Sequence, residues 1–408
     1  MKYSFIVPVY NRPDEVDELL ESLTRQSITD FEVIVVEDGS AVPCHDVCEK
    51  YRGLLNLHYY YKENSGPGQS RNYGVERAKG DYVLILDSDV VVPSGYLQAV
   101  EDELNADDAD AFGGPDAAHP SFTPKQKAIS YSMTAFLTTG GIRGGKKKMD
   151  KFYPRSFNMG VRRSAYSQLG GFSKMRFGED IDFSIRIFKA QLRCRLFPEA
   201  WVWHKRRTDF RKFFRQVYNS GIARINLYKK YPESLKLVHL LPMVFTLGVI
   251  LLAVVALTGV VAWLLGCVVF GQWLVIAGVS PLLVYSLALF VHALTMFGSL
   301  HIALLSVAAA FTQLLGYGFG FLQAWWRRCV KGKDEFSAFE KLWKRTPDAS
   351  TLSSPTSLSN FSSSSLAPFC SRCSFRASSF GGNSIVLQSL DENIEGKKAE
   401  IHFLFRTL

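Results

Sequence analysis

The chain has 408 residues, 47% of them hydrophobic, and a formal net charge of +9. It is long enough for two or three domains with a sizeable core, which excludes a small disulfide-stapled fold. Its positive charge suits nucleic acid, a membrane surface or an anionic substrate. No basic stripe alternates with aromatic residues, and lysine and arginine cluster beside apolar segments instead, so no nucleic-acid partner is expected.

The cysteines and the amino terminus indicate a cytoplasmic location. Seven cysteines show no repeated spacing, and one lies in an apolar run, which is not the pattern of a disulfide framework. The apolar run over residues 5–9 is too short for a signal peptide, and acidic residues follow it closely. We therefore expect the chain to begin folding in the cytoplasm from its first residues.

Strand and helix patterns alternate along the first half of the chain. Strands are predicted over 5–9, 31–36, 57–61, 156–161 and 201–204, and a buried strand begins at Tyr82. Helices are predicted over 13–26, 46–51, 66–78 and 178–190. This alternation predicts an α/β fold with a mostly parallel, doubly wound sheet. The first strand is followed by a turn without glycine, which disfavours a dinucleotide-binding dehydrogenase.

Acidic residues stand where predicted strands end. Asp38 follows the second strand, and Asp87 and Asp89 follow the strand that begins at Tyr82. In an open parallel sheet the carboxyl ends of the strands border the crevice where ligands bind. Two carboxylates there suit a hard divalent cation, which in turn gathers phosphate oxygens. A solvated aspartate turn is the alternative interpretation of the pair.

Residues 208–231 have an amphipathic helical pattern with aromatic anchors and a basic opposite face. This pattern favours a helix in a membrane interface over one packed on the globular domain. Before it, glycines at 140–141 and 144–145 frame a basic loop. We expect a solvated surface loop, and a lid that contacts phosphate is the alternative.

Residues 237–326 contain no Asp, Glu, Lys or Arg, and natural spans are 240–270, 273–297 and 301–326. Basic residues flank this region on both sides, which places both flanks in the cytoplasm. An even number of crossings is then required. Either one segment is re-entrant, or the first bends and crosses twice.

Further short motifs complete an ordered set. They are Val7-Pro8-Val9-Tyr10-Asn11-Arg12, Val35-Val36-Glu37-Asp38-Gly39-Ser40, Gly66-x-Gly68-x-x-Arg71-Asn72-x-Gly74, Leu86-Asp87-Ser88-Asp89, Phe157-Asn158-Met159-Gly160-Val161-Arg162-Arg163, Gly170-Gly171-Phe172, Gly178-Glu179-Asp180-x-Asp182 and Trp203-His204-x-x-Arg207. In this order, ahead of apolar segments, the set resembles glycosyltransferase family 2, whose members are inverting enzymes with the GT-A fold. The resemblance covers roughly residues 1–235.

The resemblance implies a site for a nucleoside diphosphate sugar. Pro8, Tyr10 and either Glu37 or Asp38 would line the nucleotide pocket, with Asp38 accepting a hydrogen bond from the base. Arg71 would approach the ribose or the diphosphate.

The resemblance also implies a metal ion and a general base. Asp89 would hold Mg or Mn with Asp87 and His204, and Ser88 would contribute to nucleotide-sugar binding. Asp180 would remove the proton of the acceptor hydroxyl. Glu179 and Asp182 compete for that role, although a helix cap is the preferred interpretation of Asp182.

The expected organisation has five parts: a GT-A catalytic domain over 1–205, an amphipathic interfacial helix region over 206–236, transmembrane helices over 237–326, a basic cytoplasmic flank over 327–345, and a Ser-rich disordered tail over 346–408. The protein would be integral to the cell inner or plasma membrane, with its catalytic domain in the cytoplasm.

The expected function is the transfer of a sugar from a nucleoside diphosphate, with uridine as the guessed base. The acceptor would be a hydroxyl of a lipid-linked glycan, a lipid or a polysaccharide of the cell envelope. The Gln-x-x-Arg-Trp string of processive relatives is missing from the sequence, which favours single additions. Transfer to a polyprenyl phosphate and a non-enzymatic nucleotide-binding membrane protein are the alternatives.

Overall fold

The computed structural model describes residues 1–117, 119, 121–139, 152–175, 177–205 and 208–334. The predicted basic loop near 140–148, Arg207, the end of the basic flank and the Ser-rich tail lie outside the described residues.

The first seven elements follow the predicted alternation of strand and helix. They are β1 (Tyr3–Val9), α1 (Pro13–Leu23), β2 (Phe31–Asp38), α2 (His45–Tyr51), β3 (Asn56–Lys62), α3 (Pro67–Val75) and β4 (Tyr82–Leu86). Every residue of β2 and β4 is buried, as expected for strands covered on both faces. Helix α1 begins at a proline, whose missing N–H costs nothing in the first turn.

The next eleven elements include several that the sequence patterns did not predict. They are β5 (Val90–Val91), α4 (Tyr96–Ala106), β6 (Ala111–Gly113), β7 (Asp116–Ala117), α5 (Pro124–Thr134), α6 (Phe136–Thr139), β8 (Asn158–Arg162), α7 (Arg163–Gln168), α8 (Glu179–Lys189), β9 (Cys194–Leu196) and β10 (Val202–His204). Strands of two or three residues are too short to show a period, which explains the omission of β5, β6, β7 and β9.

The main sheet has seven strands in the order β3-β2-β1-β4-β8-β6-β9. All neighbours are parallel except β8, which runs antiparallel to β4 and to β6. Alternate residues of β1 pack on opposite faces, one against α1, α2 and α4 and the other against α3, α7 and α8. The predicted mostly parallel, doubly wound α/β sheet is confirmed.

The centre of the sheet is closely packed at Gly160 in β8. A methyl group built there would lie 2.1 Å from a ring carbon of Phe112, and the Phe112 ring stacks on that of Phe197 with centroids 4.3 Å apart. We expect Gly160→Ala to destabilise the fold by about 3 kcal/mol and to lower Tm by roughly 6–12 °C, because the ring has no room to move. Thermal unfolding in detergent tests this, with Gly53→Ala as the control, since Gly53 has no neighbouring atom within 4 Å of the added carbon. Equal Tm values would contradict it.

A second sheet of three short strands, β5-β10-β7, lies beside the end of β4. Strand β10 pairs antiparallel with β5, so that His204 faces Val90, and parallel with β7, so that Trp203 faces Ala117. This sheet brings the residues after β4 and the last strand before the apolar helices to one place.

Long helices form the rest of the described chain. They are α9 (Phe210–Lys230), α10 (Leu241–Leu264), α11 (Val268–Phe297) and α12 (Leu300–Trp325), with a π-helical turn over Trp326–Val330. The last three are long and apolar enough to cross a membrane. Helix α10 ends before Gly266, whose φ is +92°, and its 24 residues form a single helix. The alternative in which the first segment crosses twice is therefore wrong.

The apolar face of α9 is covered by protein. Phe213 and Val217 pack against Ala309 of α12 and Ile129 of α5, and Ile225 packs against Phe321. The sequence pattern predicted that this face lies in the membrane interface, but in the structure it packs on α12 and α5. An amphipathic pattern reports which face is apolar but not whether lipid or protein covers it.

Candidate active site

Two aspartates and a histidine converge at the carboxyl edge of the main sheet. One ligand atom from each of Asp87, Asp89 and His204 lies within 4.8 Å of the others. The turn after β4 carries both carboxylates, and the pairing of β5 with β10 brings the imidazole to it. His204 Nε2 lies 3.3 Å from Asp89 Oδ1, and the ring stacks on Phe157 at 4.8 Å.

The donor set fits a hard divalent cation. Two carboxylates and one imidazole match the ligand preferences of Mg²⁺ and Mn²⁺. Asp89 and its neighbour Ser88 are each 6% exposed, whereas Asp87 is partly exposed, so the cluster is closed on one side and open on the other. His204 Nδ1 lies 3.8 Å from Asp116 Oδ2, a carboxylate placed to orient the ring.

Arg12 is a residue of this cluster that the sequence did not single out. Its guanidinium donates to Asp89 Oδ2 at 2.9 Å and to Glu15 Oε2 at 2.6 Å. Because β1 and β4 are adjacent parallel strands, the residues that follow them meet at the same edge. The position of Arg12 could thus have been found from the strand order.

Arg71 connects the cluster to the start of α8. The side chain is buried, and it donates to Asp87 Oδ1 at 2.7 Å and to Glu179 Oε1 at 2.9 Å. Its guanidinium carbon lies 5.2 Å from the centre of the Phe172 ring. One arginine thus fixes two acidic groups that are 92 positions apart in the sequence.

The two acids at the start of α8 have different environments. Burial raises the pKa of Glu179 to about 7, and the charge of Asp180 adds to the effect of burial while Arg71 opposes it. Burial would also raise the pKa of Asp180, but the charge and hydrogen bond of Arg155 outweigh it and lower that pKa. Asp180 Oδ2 accepts from Arg155 Nε at 2.6 Å, and Oδ1 accepts from the Ile181 N–H at 2.8 Å.

Asp182 lies apart from this pair and does not cap the helix. The residue at the N-cap is Gly178, which has φ +85°. The Asp182 side chain is fully buried and accepts hydrogen bonds from Lys230 Nζ at 2.5 Å, Tyr231 Oη at 3.0 Å and Arg186 Nε at 3.1 Å. These hydrogen bonds connect α8 to the end of α9.

We expect Asp182→Asn to destabilise the protein by on the order of 2–4 kcal/mol, because it leaves buried donors without their anionic partner. Burial alone would raise the pKa of Asp182, but Lys230 and Arg186 lower it. Its contribution is therefore complete above the usual pKa of about 4 and is lost as the pH falls through the lower value of the folded state. Tm measured against pH tests this, with Asp46→Asn as the exposed control. A Tm difference that persists unchanged below about pH 3 would contradict it.

The residues predicted to line the nucleotide pocket differ in how far they are exposed to solvent. Asp38 Oδ1 and Oδ2 accept from the N–H groups of Ser65 and Gly66, each at 2.9 Å, and Lys62 forms an ion pair with the same carboxylate. Tyr10, which follows β1, is 51% exposed, and Pro8 of β1 is half-buried.

Glu37 is fully buried, in contrast to Pro8 and Tyr10. Its carboxylate accepts from the Cys44 N–H at 2.7 Å and from the Ser40 hydroxyl. Its side chain is therefore occupied with the turn that follows β2. Of the two acids at the end of this strand, Asp38 contacts the loop that opens α3.

Residues 4–170 match the family model for Glycosyl transferase family 2. These residues form a family 2 glycosyl transferase domain. The match covers the strands from β1 to β8 and the Asp87–Asp89 turn, whereas β9, Glu179, Asp180 and His204 lie beyond its end.

Curated relatives match parts of this chain. Poly(ribitol-phosphate) beta-N-acetylglucosaminyltransferase TarS of Staphylococcus aureus is 45% identical over 114 residues, which are 26% of this chain and 20% of that protein. Uncharacterized glycosyltransferase EpsJ of Bacillus subtilis is 24% identical over 204 residues, which are 48% of this chain and 59% of that protein. The matches thus span between a fifth and three fifths of these relatives.

Two solved structures are similar to the chain. The structure of S. aureus TarS 1-349 with UDP-GlcNAc is 23% identical, with a TM-score of 0.42 over 55% of this chain and 67% of that one. The mannosyltransferase PcManGT from Pyrobaculum calidifontis with GDP-Man and Mn2+ is 17% identical, with a TM-score of 0.48 over 80% of this chain and 88% of that one.

Proposed function

We propose that the protein transfers a sugar from a nucleoside diphosphate to a hydroxyl acceptor, with inversion at the anomeric carbon. One observation carries this proposal. Arg71 holds together a carboxylate–imidazole cluster suited to a diphosphate-bound cation and the acidic start of α8. A metal-assisted leaving group and a base on a neighbouring element are what such a displacement needs.

Asp87, Asp89 and His204 would hold Mg²⁺ or Mn²⁺, and the fit of their donor atoms supports this assignment. When bound, the cation would neutralise the charge that develops on the departing diphosphate. Arg12 would keep the Asp89 carboxylate in place, and Asp116 would orient the imidazole through Nδ1.

Asp180 would be the general base. Its lowered pKa keeps it ionised at neutral pH. The acceptor hydroxyl would give its proton to Asp180 while its oxygen bonds to the anomeric carbon, and the bond from that carbon to the diphosphate oxygen would break with its electron pair. Arg155 would hold the carboxylate for this step, since it donates to one oxygen only. Glu179 is the second candidate, because its pKa of about 7 suits proton transfer at neutral pH.

The nucleotide would lie between β1 and the loop that opens α3. Pro8 and Tyr10 would line it, and Asp38 would accept from the base while it holds Ser65 and Gly66. Ser88 would border the diphosphate. We propose that Glu37 supports this pocket, since its carboxylate accepts hydrogen bonds from Ser40 and Cys44. Arg71 would position Asp87 and Glu179 rather than contact the nucleotide directly.

The proposed layout is a catalytic GT-A domain over 1–205, the α9 region over 206–236, membrane helices over 237–326 with the basic flank 327–345 after them, and the Ser-rich tail 346–408. Three long apolar helices support anchoring in a cell membrane, with the catalytic domain on its cytoplasmic side. A lipid-linked glycan or lipid acceptor would suit a site that is tethered there.

Transfer to a polyprenyl phosphate is the second candidate, because Asp180 already pairs with Arg155. A phosphate acceptor is ionised and needs no base. In that case Asp180→Asn would retain most of its activity, whereas a hydroxyl acceptor predicts a large loss.

A panel of nucleoside diphosphate sugars tests the proposal. Purified protein in detergent is given each donor with Mn²⁺, and binding and slow hydrolysis are measured. UDP-GlcNAc is the first donor to test, because the name of the 45% identical relative specifies N-acetylglucosaminyl transfer. We expect one donor to bind and to be hydrolysed, and EDTA to remove the hydrolysis. If no donor binds with or without metal, the proposed function fails.

A further inference from the structure

Helices α10 and α11 form a closely packed antiparallel hairpin. Gly259 lies against Gly271 and Val275, and Gly278 lies against Leu252 and Ala256, so that a methyl group added at either glycine would lie 2.6–2.9 Å from the facing atoms. Small residues at a helix contact let the backbones approach closely, as in membrane-embedded pairs. The outer surface of the hairpin is apolar and exposed, with large side chains at Leu251, Leu257, Val269, Trp273, Leu283 and Leu287.

The base of the hairpin, in contrast, is packed on other elements. Thr246 of α10 lies against Leu314 and Gly318 of α12. Leu289 and Ala293 of α11 are fully buried against α12 and α5. Beyond this base, residues 247–264 and 268–284 extend for about 27 Å and about 25 Å. These lengths approach the hydrocarbon thickness of about 30 Å.

Helix α12 has different surroundings. In its most apolar stretch 39% of the residues are buried, against 6% for α10 and 11% for α11. It runs beside α9 in the same direction, because Gly316 meets Val217, Gly320 meets Tyr218 and Arg328 donates to Asn226 at 2.6 Å. Its glycines allow this contact, and a methyl group at Gly320 would lie 2.0 Å from the Tyr218 carbonyl oxygen.

The neighbour of α12 cannot lie in hydrocarbon. The outer side of α9 carries exposed cationic side chains at both of its ends, at Arg211, Lys212 and Arg215 near the start and at Lys229 and Lys230 at the finish, and Arg224 between them is half-buried. Each charge costs several kcal/mol in a bilayer core. Since α12 lies along this helix, it shares the same depth. The large apolar side chains that α12 and the turn after it expose include Leu300, Leu304, Phe319, Trp325 and Trp326, with His301 and Gln323 as exposed polar residues near the two ends. This mixture suits the lipid side of a membrane surface.

We propose that the lipid bilayer is the partner of two different surfaces of this chain. The α10–α11 hairpin crosses the membrane twice, and α12 does not cross but lies at the cytoplasmic surface between lipid and α9. This arrangement gives the even number of crossings that the basic residues on both flanks require. The inference rests on the membrane anchoring in the proposed function and is independent of transferase activity.

Two exposed cysteines can show on which side of the membrane each end of these helices lies. Cys267 lies in the turn between α10 and α11, and Cys329 follows α12. The tail cysteines Cys370 and Cys373 and the half-buried Cys194 are replaced by serine, and one variant then carries Cys329→Ser and the other Cys267→Ser. Cys44 and Cys48 are buried and stay in place. Cells that produce each variant are treated with a membrane-impermeant maleimide before and after permeabilisation.

We expect Cys267 to react in intact cells and Cys329 to react only after permeabilisation. Reaction of both in intact cells would show that α12 crosses, and protection of Cys267 would show that the hairpin does not cross. Either result overturns the proposal. Gly53→Cys, in a variant without Cys267 and Cys329, marks the side of the catalytic domain, because position 53 is exposed and has no neighbouring atom within 4 Å of an added Cβ. Failure of the donor assay would leave these labelling results unchanged.

Discussion

Replacing Asp89 with alanine is expected to lower the rate of sugar transfer by about 10³-fold, equivalent to about 4 kcal/mol of lost transition-state stabilisation. Asp89 contributes to the proposed metal site with Asp87 and His204, and it is also the partner of Arg12. Its removal should therefore weaken metal binding and release Arg12 toward Glu15. The rate is measured at saturating donor and Mn²⁺.

A second measurement separates the metal site from the rest of the reaction. Binding of Mn²⁺ alone is followed by the loss of its free-ion EPR signal, and Asp89→Ala is expected to bind at least ~10-fold more weakly than wild type. Asp46→Ala, which removes an exposed carboxylate on α2, serves as the control and should behave as wild type. Unchanged Mn²⁺ affinity in Asp89→Ala would mean that this turn is not a metal site.

Replacing Asp180 with asparagine is expected to lower kcat by ~10²–10⁴-fold while donor affinity stays within about twofold. The amide keeps the contact with the Ile181 N–H but cannot take the acceptor proton. The same side chain would lose its ion pair with Arg155, so the thermal stability of the variant is measured in parallel. A variant with normal Tm and normal kcat would favour the phosphate acceptor.

The pH profile then decides which acid of α8 accepts the proton. A base must be ionised, so activity is lost as the pH falls through its pKa. Because the pKa of Asp180 is lowered, wild-type kcat should stay level through neutral and mildly acidic pH. A fall in kcat near pH 7 would instead assign the proton to Glu179, whose pKa is about 7. In that case Glu179→Gln would abolish activity, and the fall in kcat on the acidic side of the pH profile would be lost with it.

Much of the fold could be predicted because β1, β2 and β4 are buried on both faces and show long apolar runs. The approach of Asp87 and Asp89 to a ligand edge followed from the same pattern. The position of His204 beside Asp89 depends instead on a two-residue strand, β5, which carries no recognisable period. For that reason the sequence could name the histidine only through resemblance to a family.

Other parts of the site could not be predicted from the sequence for a different physical reason. Arg155 reaches Asp180 from an irregular segment before β8, and no local pattern links the two. Asp182 looked like a helix cap because it lies in the first turn, yet two of its partners, Lys230 and Tyr231, lie at the end of α9, 48 and 49 positions further along the chain. Pairings between distant segments are set by the tertiary fold, which periodicity does not report.

The stacking of α8 on α9 has a practical consequence for anyone who wishes to shorten the protein. Gly178 rests on Ala223 and Leu227 of α9, and α9 in turn rests on α12. A fragment ending near residue 236 would keep every proposed catalytic side chain but would bare the apolar side of α9, and aggregation is the expected fate of such a surface. A shortened protein therefore still needs α12, although α12 follows the apolar α10–α11 hairpin in the sequence.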